Sequence, residues 1–243
     1  MVAFGCHLLN TRQRCTRRAF YGCDEHVESP PHLTFNTQAF IRKLFDTMKL
    51  GLMGGTFDPI HLGHLFIAEE ARVRFALDEV WFVPNNTPAH VQGKSAQLSP
   101  QQRLELCELA VADNVHFRVS TVEIERQGKS YAFDTINQIK TQTGAELSWI
   151  LGGDAIAEVL TWHRGEELFE LVRFIAASRP GFSLQSAQEA LNAAQASRVE
   201  WMEIPGLHIA SRDLRQRLQN RQTIRYLVPD AVRNRIEELG LYL

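Results

Sequence analysis

From Met48 onward, short apolar runs alternate with segments whose apolar residues recur at helical spacing. Strands separated by helical segments of about 10 to 15 residues are typical of βαβ units, in which consecutive strands lie parallel. We therefore expect a doubly wound α/β fold with a mostly parallel sheet. The predicted strands are Leu50–Met53, Glu79–Pro84, Val115–Ser120, Leu147–Leu151, Phe174–Ala177 and Val199–Ile204. The predicted helices are His61–Phe75, Pro100–Ala112, Tyr131–Thr143, Glu166–Val172, Ala187–Ala196, Ser211–Asn220 and Pro229–Leu239.

The composition of the chain indicates which kinds of binding partner to expect. The chain has 26 Lys and Arg residues against 28 Asp and Glu residues, a formal net charge of -2, so it lacks the basic excess of a general nucleic-acid or membrane-surface binder. Its apolar runs are far shorter than the roughly 18 residues of a membrane-spanning helix. We expect small-molecule partners, no nucleic acid and no membrane.

The head of the chain differs from the rest. Three of the 4 cysteines precede Asp24, which leaves Cys107 for the body, and this distribution predicts a reduced, cytoplasmic protein. Residues 1–47 are Arg-rich at first and carry no clear periodicity. A targeting presequence, a zinc site and an unstructured extension ahead of a start at Met48 are the alternatives, and we favour the extension. Residues 48–243 then form the functional domain, with 183–243 as a C-terminal helical subdomain or lid.

The segment after the first predicted strand concentrates groups that bind anions. It reads Gly54-Gly55-Thr56-Phe57-Asp58-Pro59-Ile60-His61-Leu62-Gly63-His64. Paired glycines let a backbone approach a ligand closely, and a helix start presents N–H groups and a positive dipole end. The segment has neither the Gly-Lys-Ser/Thr of a Walker A loop nor the GxGxxG of a dinucleotide-binding turn. We expect an anion site of another kind.

His61 and His64 are three residues apart, so both rings lie on one face of the helix. Gly63 between them removes a side chain that would crowd a ligand. From these residues alone, a structural pair, a metal site with Asp58 as third ligand and a phosphate site are all open.

The whole string resembles the HxGH signature of the nucleotidyltransferase superfamily. Its doubled glycine and Asp-Pro make it similar to the nicotinate-nucleotide adenylyltransferase family, and the resemblance extends over residues 48–243. It implies a Rossmann-like fold and catalytic roles for His61, His64 and Arg215. The ATP-binding residues that it implies are Gly54, Gly55, His61, Gly63, His64, Ser211 and Arg215.

Three further segments resemble acceptor-binding motifs of that family. Pro84–His90 resembles the PNxxPPH loop, with alanine in place of one proline. Ser130–Thr135 resembles SYTxxT, the segment that meets the nicotinate carboxylate, although Ala132 replaces a threonine. Leu151–Asp154, followed by Trp162, resembles IIGxD…W, with a helix cap and a core position as the alternative roles of the aspartate and the tryptophan. The implied substrate-binding residues are Thr56, Phe57, Asn85, His90, Tyr131, Asp154 and Trp162.

Near the C-terminus, Ile209–Arg215 resembles the ISSxxIR motif, with alanine for the first serine. Ser211 is placed to cap a helix whose N–H groups face an anion, and the planar guanidinium of Arg215 suits phosphate. The arginines further along this region are expected to form a solvated basic face.

The resemblance implies transfer of an adenylyl group from ATP to nicotinate mononucleotide with release of pyrophosphate, a step of NAD biosynthesis. Direct in-line attack needs positioning and charge neutralisation and no covalent enzyme intermediate. Mg²⁺ is expected to bridge the triphosphate without protein ligands. The alternatives are another HxGH enzyme such as pantetheine-phosphate adenylyltransferase, a non-catalytic nucleotide sensor and, last, a metal-dependent hydrolase.

Overall fold

The computed structural model describes residues 47–88, 96–178 and 185–243. The hypotheses on the N-terminal segment concern residues that lie almost entirely outside these ranges. The strands are β1 (Lys49–Gly55), β2 (Glu79–Pro84), β3 (Thr87–Pro88), β4 (Phe117–Val119), β5 (Lys129–Ser130), β6 (Glu146–Gly152), β7 (Arg173–Ser178) and β8 (Val199–Glu203). The helices are α1 (Leu62–Arg74), α2 (Pro100–Val111), α3 (Val122–Arg126), α4 (Ala132–Thr143), α5 (Gly165–Leu171), α6 (Gln185–Glu189), α7 (Ala193–Ala196), α8 (Ser211–Gln219) and α9 (Asp230–Leu239).

Six strands form one sheet in the order β4-β2-β1-β6-β7-β8, and every neighbouring pair is parallel. The predicted doubly wound α/β fold is confirmed. From β1 the chain runs to one side through β2 and β4 and returns to the other side at β6. Ligands of open parallel sheets bind at such a reversal, outside the carboxyl ends of the strands. The loops after β1 and β6 therefore mark the expected binding crevice.

Each face of this sheet carries its own hydrophobic core. Leu50 and Leu52 of β1 pack with α4 and α5 on one face, and Met53 packs with α1, α2, α8 and α9 on the other. A strand buried on both faces reads as a continuous apolar run without alternation, which is why these strands could be located from the sequence. No helix within the described ranges is long and apolar enough to cross a membrane.

Local capping signals place α2 and α4 as predicted. The Ser99 hydroxyl accepts a hydrogen bond from the Gln102 N–H at 3.2 Å, and the Gln102 side chain accepts one from the Ser99 N–H at 3.0 Å. This reciprocal pair satisfies two N–H groups that a helix start leaves open. Gly144 ends α4 in the left-handed conformation, with φ of 64°.

The predicted helix Ala187–Ala196 is wrong, because two short helices, α6 and α7, occupy this region. Asn192 lies between them with extended backbone and accepts the Gln195 N–H on its side chain at 2.9 Å. A capping asparagine competes with helix continuation, and here that local bond prevails over the alanine-rich composition.

The C-terminal residues do not form the separate helical subdomain or lid that the sequence suggested. β8 extends the main sheet beside β7. Leu214 and Leu218 of α8, together with Val232 and Ile236 of α9, are buried in the same core as α1. The apolar faces of these helices thus complete the core on that side of the sheet.

Candidate active site

The two histidines lie at the carboxyl end of β1, where α1 begins. Their rings are stacked, with centroids 3.7 Å apart and planes inclined by 20°. A side chain on Gly63 would place a Cβ 3.0 Å from Nδ1 of His61, so the glycine makes room for the ring itself. The prediction that both rings share one helix face is confirmed.

Burial favours the neutral form of both rings. Burial lowers the pKa of His61 to about 4, and burial, reinforced by the charge of His61, lowers the pKa of His64 well below its usual range. The His61 backbone N–H donates to Nδ1 of His64 at 3.3 Å. This bond assigns the proton of the neutral His64 ring to Nε2, which makes that nitrogen a donor.

A buried carboxylate anchors the loop that carries the histidines. Asp58 is 4% exposed and accepts the hydroxyl of Tyr242 at 2.7 Å and the N–H of Gln97 at 2.8 Å. Arg215 donates to the Asp58 carbonyl at 2.7 Å and lies 3.9 Å from its carboxylate. The loop is thus held by groups far along the chain.

The structure corrects the role of Ser211 and narrows that of Arg215. Ser211 does not cap α8: the N-cap is Ala210, and the Ser211 hydroxyl donates to the Pro59 carbonyl at 2.8 Å. One guanidinium nitrogen of Arg215 donates to the Asp58 carbonyl, which fixes the guanidinium beside the histidine loop. At the start of α1, the Leu62 N–H is taken by the Leu227 carbonyl at 3.0 Å, so part of the predicted anion-binding helix end is already occupied.

The metal hypothesis for Asp58, His61 and His64 receives no support from this geometry. The described ranges hold no group of three or more His, Cys, Asp or Glu side chains placed to bind a metal ion. The Asp58 carboxylate already accepts two hydrogen bonds within the protein.

The doubled glycine after β1 has a packing role. A Cβ on Gly54 would lie 2.5 Å from the ring of Trp149, and one on Gly55 would lie 2.9 Å from the ring of Phe57. Phe57 itself, expected at the substrate, is 3% exposed, and its ring packs on His64 and Phe82. Its side chain therefore belongs to the core. Contact of the two glycines with ATP stays a prediction.

Thr56 and Asn85 face each other across the ends of β1 and β2. The Asn85 side-chain amide donates to the Thr56 hydroxyl at 3.0 Å, and the Asn85 carbonyl and side-chain oxygens accept from Arg103. Sequence reasoning missed Arg103, whose helical spacing gave no sign of a polar contact. His90 lies outside the described residues.

Part of the first acceptor motif, Thr87–Pro88, pairs with Lys129–Ser130 in a small second sheet, β3 against β5. The Asn86 N–H donates to the Ser130 hydroxyl at 3.0 Å. Ala132, the residue that departs from the family motif, begins α4 and is buried. Thr135 is also buried, and its hydroxyl donates to the Glu123 carboxylate at 2.6 Å.

Glu123 is a second residue that sequence reasoning missed. Burial raises the pKa of its carboxyl group, opposed by hydrogen bonds from Thr135 and Ser130. The Ser130 hydroxyl also accepts the Asn86 N–H, so the carboxyl group of Glu123 stabilises the small sheet through Ser130.

The remaining predicted residues gather at the carboxyl end of β6. The Tyr131 ring lies 4.7 Å from the His163 ring, and the Trp162 ring packs edge-on against Trp149 at 6.4 Å. Trp162 is half-buried at the edge of the core, so packing and ligand contact are compatible for it. Asp154 is exposed and lies within a 3₁₀ turn, where it does not cap a helix with its side chain.

A cavity of about 300 Å³ opens beside the stacked rings. Its lining combines the two histidines and Ser211 with apolar side chains. The lining residues are His61, Gly63, His64, Phe66, Ile67, Ile204, Leu207, Ile209, Ala210 and Ser211. Such a cavity suits a ligand with a flat apolar part and an anionic part.

Comparison with known proteins identifies the class. Residues 52–230 match the cytidylyltransferase-like family. A nicotinate-nucleotide adenylyltransferase of Oceanobacillus iheyensis is 42% identical over 195 residues, which cover 80% of this chain and 96% of that protein. The enzyme of that name from Exiguobacterium sibiricum is 45% identical over 196 residues, covering 80% and 99%. The chain belongs to the nicotinate-nucleotide adenylyltransferase family.

The fold agrees with a solved structure. Nicotinic acid mononucleotide adenylyltransferase of Plasmodium falciparum, complexed with NaAD, superposes with a TM-score of 0.66. The match covers 80% of this chain and 97% of that chain at 19% identity. This likeness confirms the fold on independent grounds.

The anchoring of Asp58 yields a first prediction. Tyr242→Phe removes a buried hydroxyl and leaves one carboxylate oxygen without that donor, so we expect the free energy of unfolding to fall by about 1–3 kcal/mol. Tyr226→Phe, at a side chain 81% exposed, is the matched control and should change nothing measurable. Urea denaturation of both variants checks this, and equal stability of the two would contradict the anchor.

The neutral histidines yield a second prediction. As pH falls from 6.5 to about 4, unfolded His61 gains a proton that the folded ring does not, so the native state loses stability through this window. The loss is about 1.4 kcal/mol per pH unit for one such group. His61→Asn removes it, so its unfolding free energy should fall less steeply than the wild type over this range in denaturation at stepped pH. Equal slopes would show that His61 titrates normally in the folded protein.

Proposed function

We propose that this protein transfers the adenylyl group of ATP to nicotinate mononucleotide, giving nicotinate adenine dinucleotide and pyrophosphate, a step of NAD biosynthesis. Membership of a family whose relatives carry that name is the observation that carries the proposal. The position of the site, at the sheet reversal and beside a half-apolar cavity, supports it.

ATP occupies the cavity beside the histidines. Its base lies against the apolar lining residues Ile204, Leu207 and Ile209, and its phosphates reach the ring of His64. The substrate would be the magnesium complex of ATP, in which the ion would supply positive charge to the phosphates. Arg215, held at the loop by Asp58, adds positive charge on the phosphate side.

The acceptor occupies the ends of β2 and β6. Asn85 and Thr56 line its phosphate side, and Tyr131 and Trp162 flank the place for a pyridine ring. Asp154, exposed in the turn after β6, completes the acceptor side in this proposal. The P. falciparum enzyme was solved in complex with NaAD and, in a second structure, with APC, so that relative binds both compounds.

The reaction is a single displacement at phosphorus. An oxygen of the acceptor phosphate forms a bond to the α-phosphorus of ATP, while the bond from that phosphorus to the bridging oxygen breaks and pyrophosphate leaves with the electron pair. Developing charge on the phosphate oxygens is met by fixed donors, above all Nε2–H of His64. Because these donors are already in place, little reorganisation accompanies the transfer.

The test compares acceptors side by side. Purified full chain with ATP and Mg²⁺ is offered nicotinate mononucleotide, nicotinamide mononucleotide and phosphopantetheine, and pyrophosphate release is measured. We expect the highest kcat/KM with nicotinate mononucleotide, with Ala132 tolerated because it lies in the core. Activity only with phosphopantetheine would reassign the protein within its superfamily, and no turnover with any acceptor would favour a nucleotide sensor.

His64 carries the third prediction. His64→Ala removes the donor assigned to the reacting phosphate, and we expect kcat to fall by about 100-fold or more, as for loss of one oxyanion donor. His116→Ala is the control. His116 is exposed and directly precedes β4, an edge strand of the sheet, so this variant should keep kcat within about twofold of the wild type. A loss of less than about 10-fold for His64→Ala would contradict the role.

A further inference from the structure

Arg103 of α2 is buried more completely than any other cationic side chain among the described residues. Its relative exposure is 0%. No described carboxylate oxygen lies within ion-pair distance of its guanidinium, and among the opposing charges that act on it that of Asp58 has the largest effect. Burial lowers the pKa of this guanidinium from its very high usual value. Burying a cation without a paired anion is costly, so its hydrogen bonds must compensate.

Those hydrogen bonds all go to two loops. One terminal nitrogen donates to the Thr56 carbonyl at 2.7 Å and to the Asn85 side-chain oxygen at 3.3 Å. The other donates to the Asn85 carbonyl at 2.7 Å and to the Asn86 carbonyl at 3.1 Å. The guanidinium therefore joins the loop after β1 to the loop after β2.

The sheet explains why such a bridge is needed. The last backbone bond between β1 and β2 runs from the Asn85 N–H to the Gly55 carbonyl at 3.0 Å. Beyond this bond the two strands separate, and the carbonyls of Thr56 and Asn86 accept hydrogen bonds from Arg103 instead. Buried carbonyls need donors, and a planar fork with several N–H groups reaches both chains at once.

Arg103 also orients the Asn85 side chain. Because the amide oxygen accepts from Arg103, the amide nitrogen points to the Thr56 hydroxyl, to which it donates. The side chain thus has one orientation, assigned by its hydrogen bonds.

We propose that Arg103 is a positioning residue that sets the acceptor loop, Asn85–Asn86, against the phosphate-binding loop after β1. The proposal rests on the function proposed above. The phosphate-binding loop has its own anchors in Asp58, Tyr242 and Ser211. Arg103 joins that loop to the acceptor loop directly, and it also orients the Asn85 side chain for its bond to Thr56. Loss of Arg103 therefore displaces the acceptor and leaves the ATP subsite in place.

The test separates positioning from general stability. Arg103→Lys keeps the charge but supplies a single compact donor group that cannot span both loops, and Arg103→Met keeps the bulk without donors. We expect both variants to raise KM for nicotinate mononucleotide and to lower kcat, about 100-fold in kcat/KM together, as for a misplacement of about 1 Å. Affinity for ATP alone, measured by calorimetry, should stay within about threefold of the wild type.

The chain offers a matched control. Arg198 also donates to two backbone carbonyls, those of Phe169 at 2.8 Å and Glu170 at 3.1 Å, at the opposite end of the sheet from the site. Arg198→Lys should leave both KM values and kcat unchanged at temperatures where all variants are folded by circular dichroism. If Arg103→Met fails to fold, the lysine variant carries the test.

The outcomes are distinct. A selective loss on the acceptor side supports the proposal. Equal losses in ATP and acceptor affinity, or kinetics unchanged from the Arg198→Lys control, would overturn it. If the wild type shows no turnover with any acceptor, the proposed function fails, and calorimetric binding of ATP and of nicotinate mononucleotide still decides whether Arg103→Lys weakens the second alone.

Discussion

The buried carboxylate of Asp58 is the point on which the site depends. Asp58 lies between the first strand and the histidine pair. Its carboxylate accepts hydrogen bonds from the hydroxyl of Tyr242, 184 residues further along the chain, and from the backbone N–H of Gln97, just before α2. Arg215 and Ser211 bind the same stretch of main chain. A loop that approaches a polyanion would otherwise be free to move, and here residues before α2 and at the C-terminus hold it.

The electrostatic design of the site follows from this burial. Two stacked imidazoles this close cannot both carry charge at low cost, and burial keeps them neutral. In the proposed reaction, neutral rings bind phosphate as fixed hydrogen-bond donors, and Arg215 adds positive charge. Positioning, more than acid–base chemistry, is what such a site supplies. Arg103 extends the same principle to the acceptor side.

What could be predicted from the sequence is what depends on neighbouring residues. The strands are buried on both faces and appear as apolar runs, Ser99 and Gly144 mark helix ends, and the HxGH spacing places both rings together. Contacts between distant residues left no such mark. No residue near Arg103 in the sequence indicates the carbonyls to which it donates, and none near Tyr242 indicates the carboxylate of Asp58. Ser211 has the sequence position of a helix cap, and only the structure shows that it donates to the Pro59 carbonyl.

A neutral histidine beside a phosphate can donate a hydrogen bond to it or attack phosphorus, and the proposed reaction requires the first. The measurement that decides between them is the stereochemistry at the α-phosphorus, with a chiral α-thio analogue of ATP as donor and nicotinate mononucleotide as acceptor. Direct displacement predicts inversion of configuration in the dinucleotide product. Retention would demonstrate two displacements through an adenylylated residue, and it would contradict a site that acts by positioning alone.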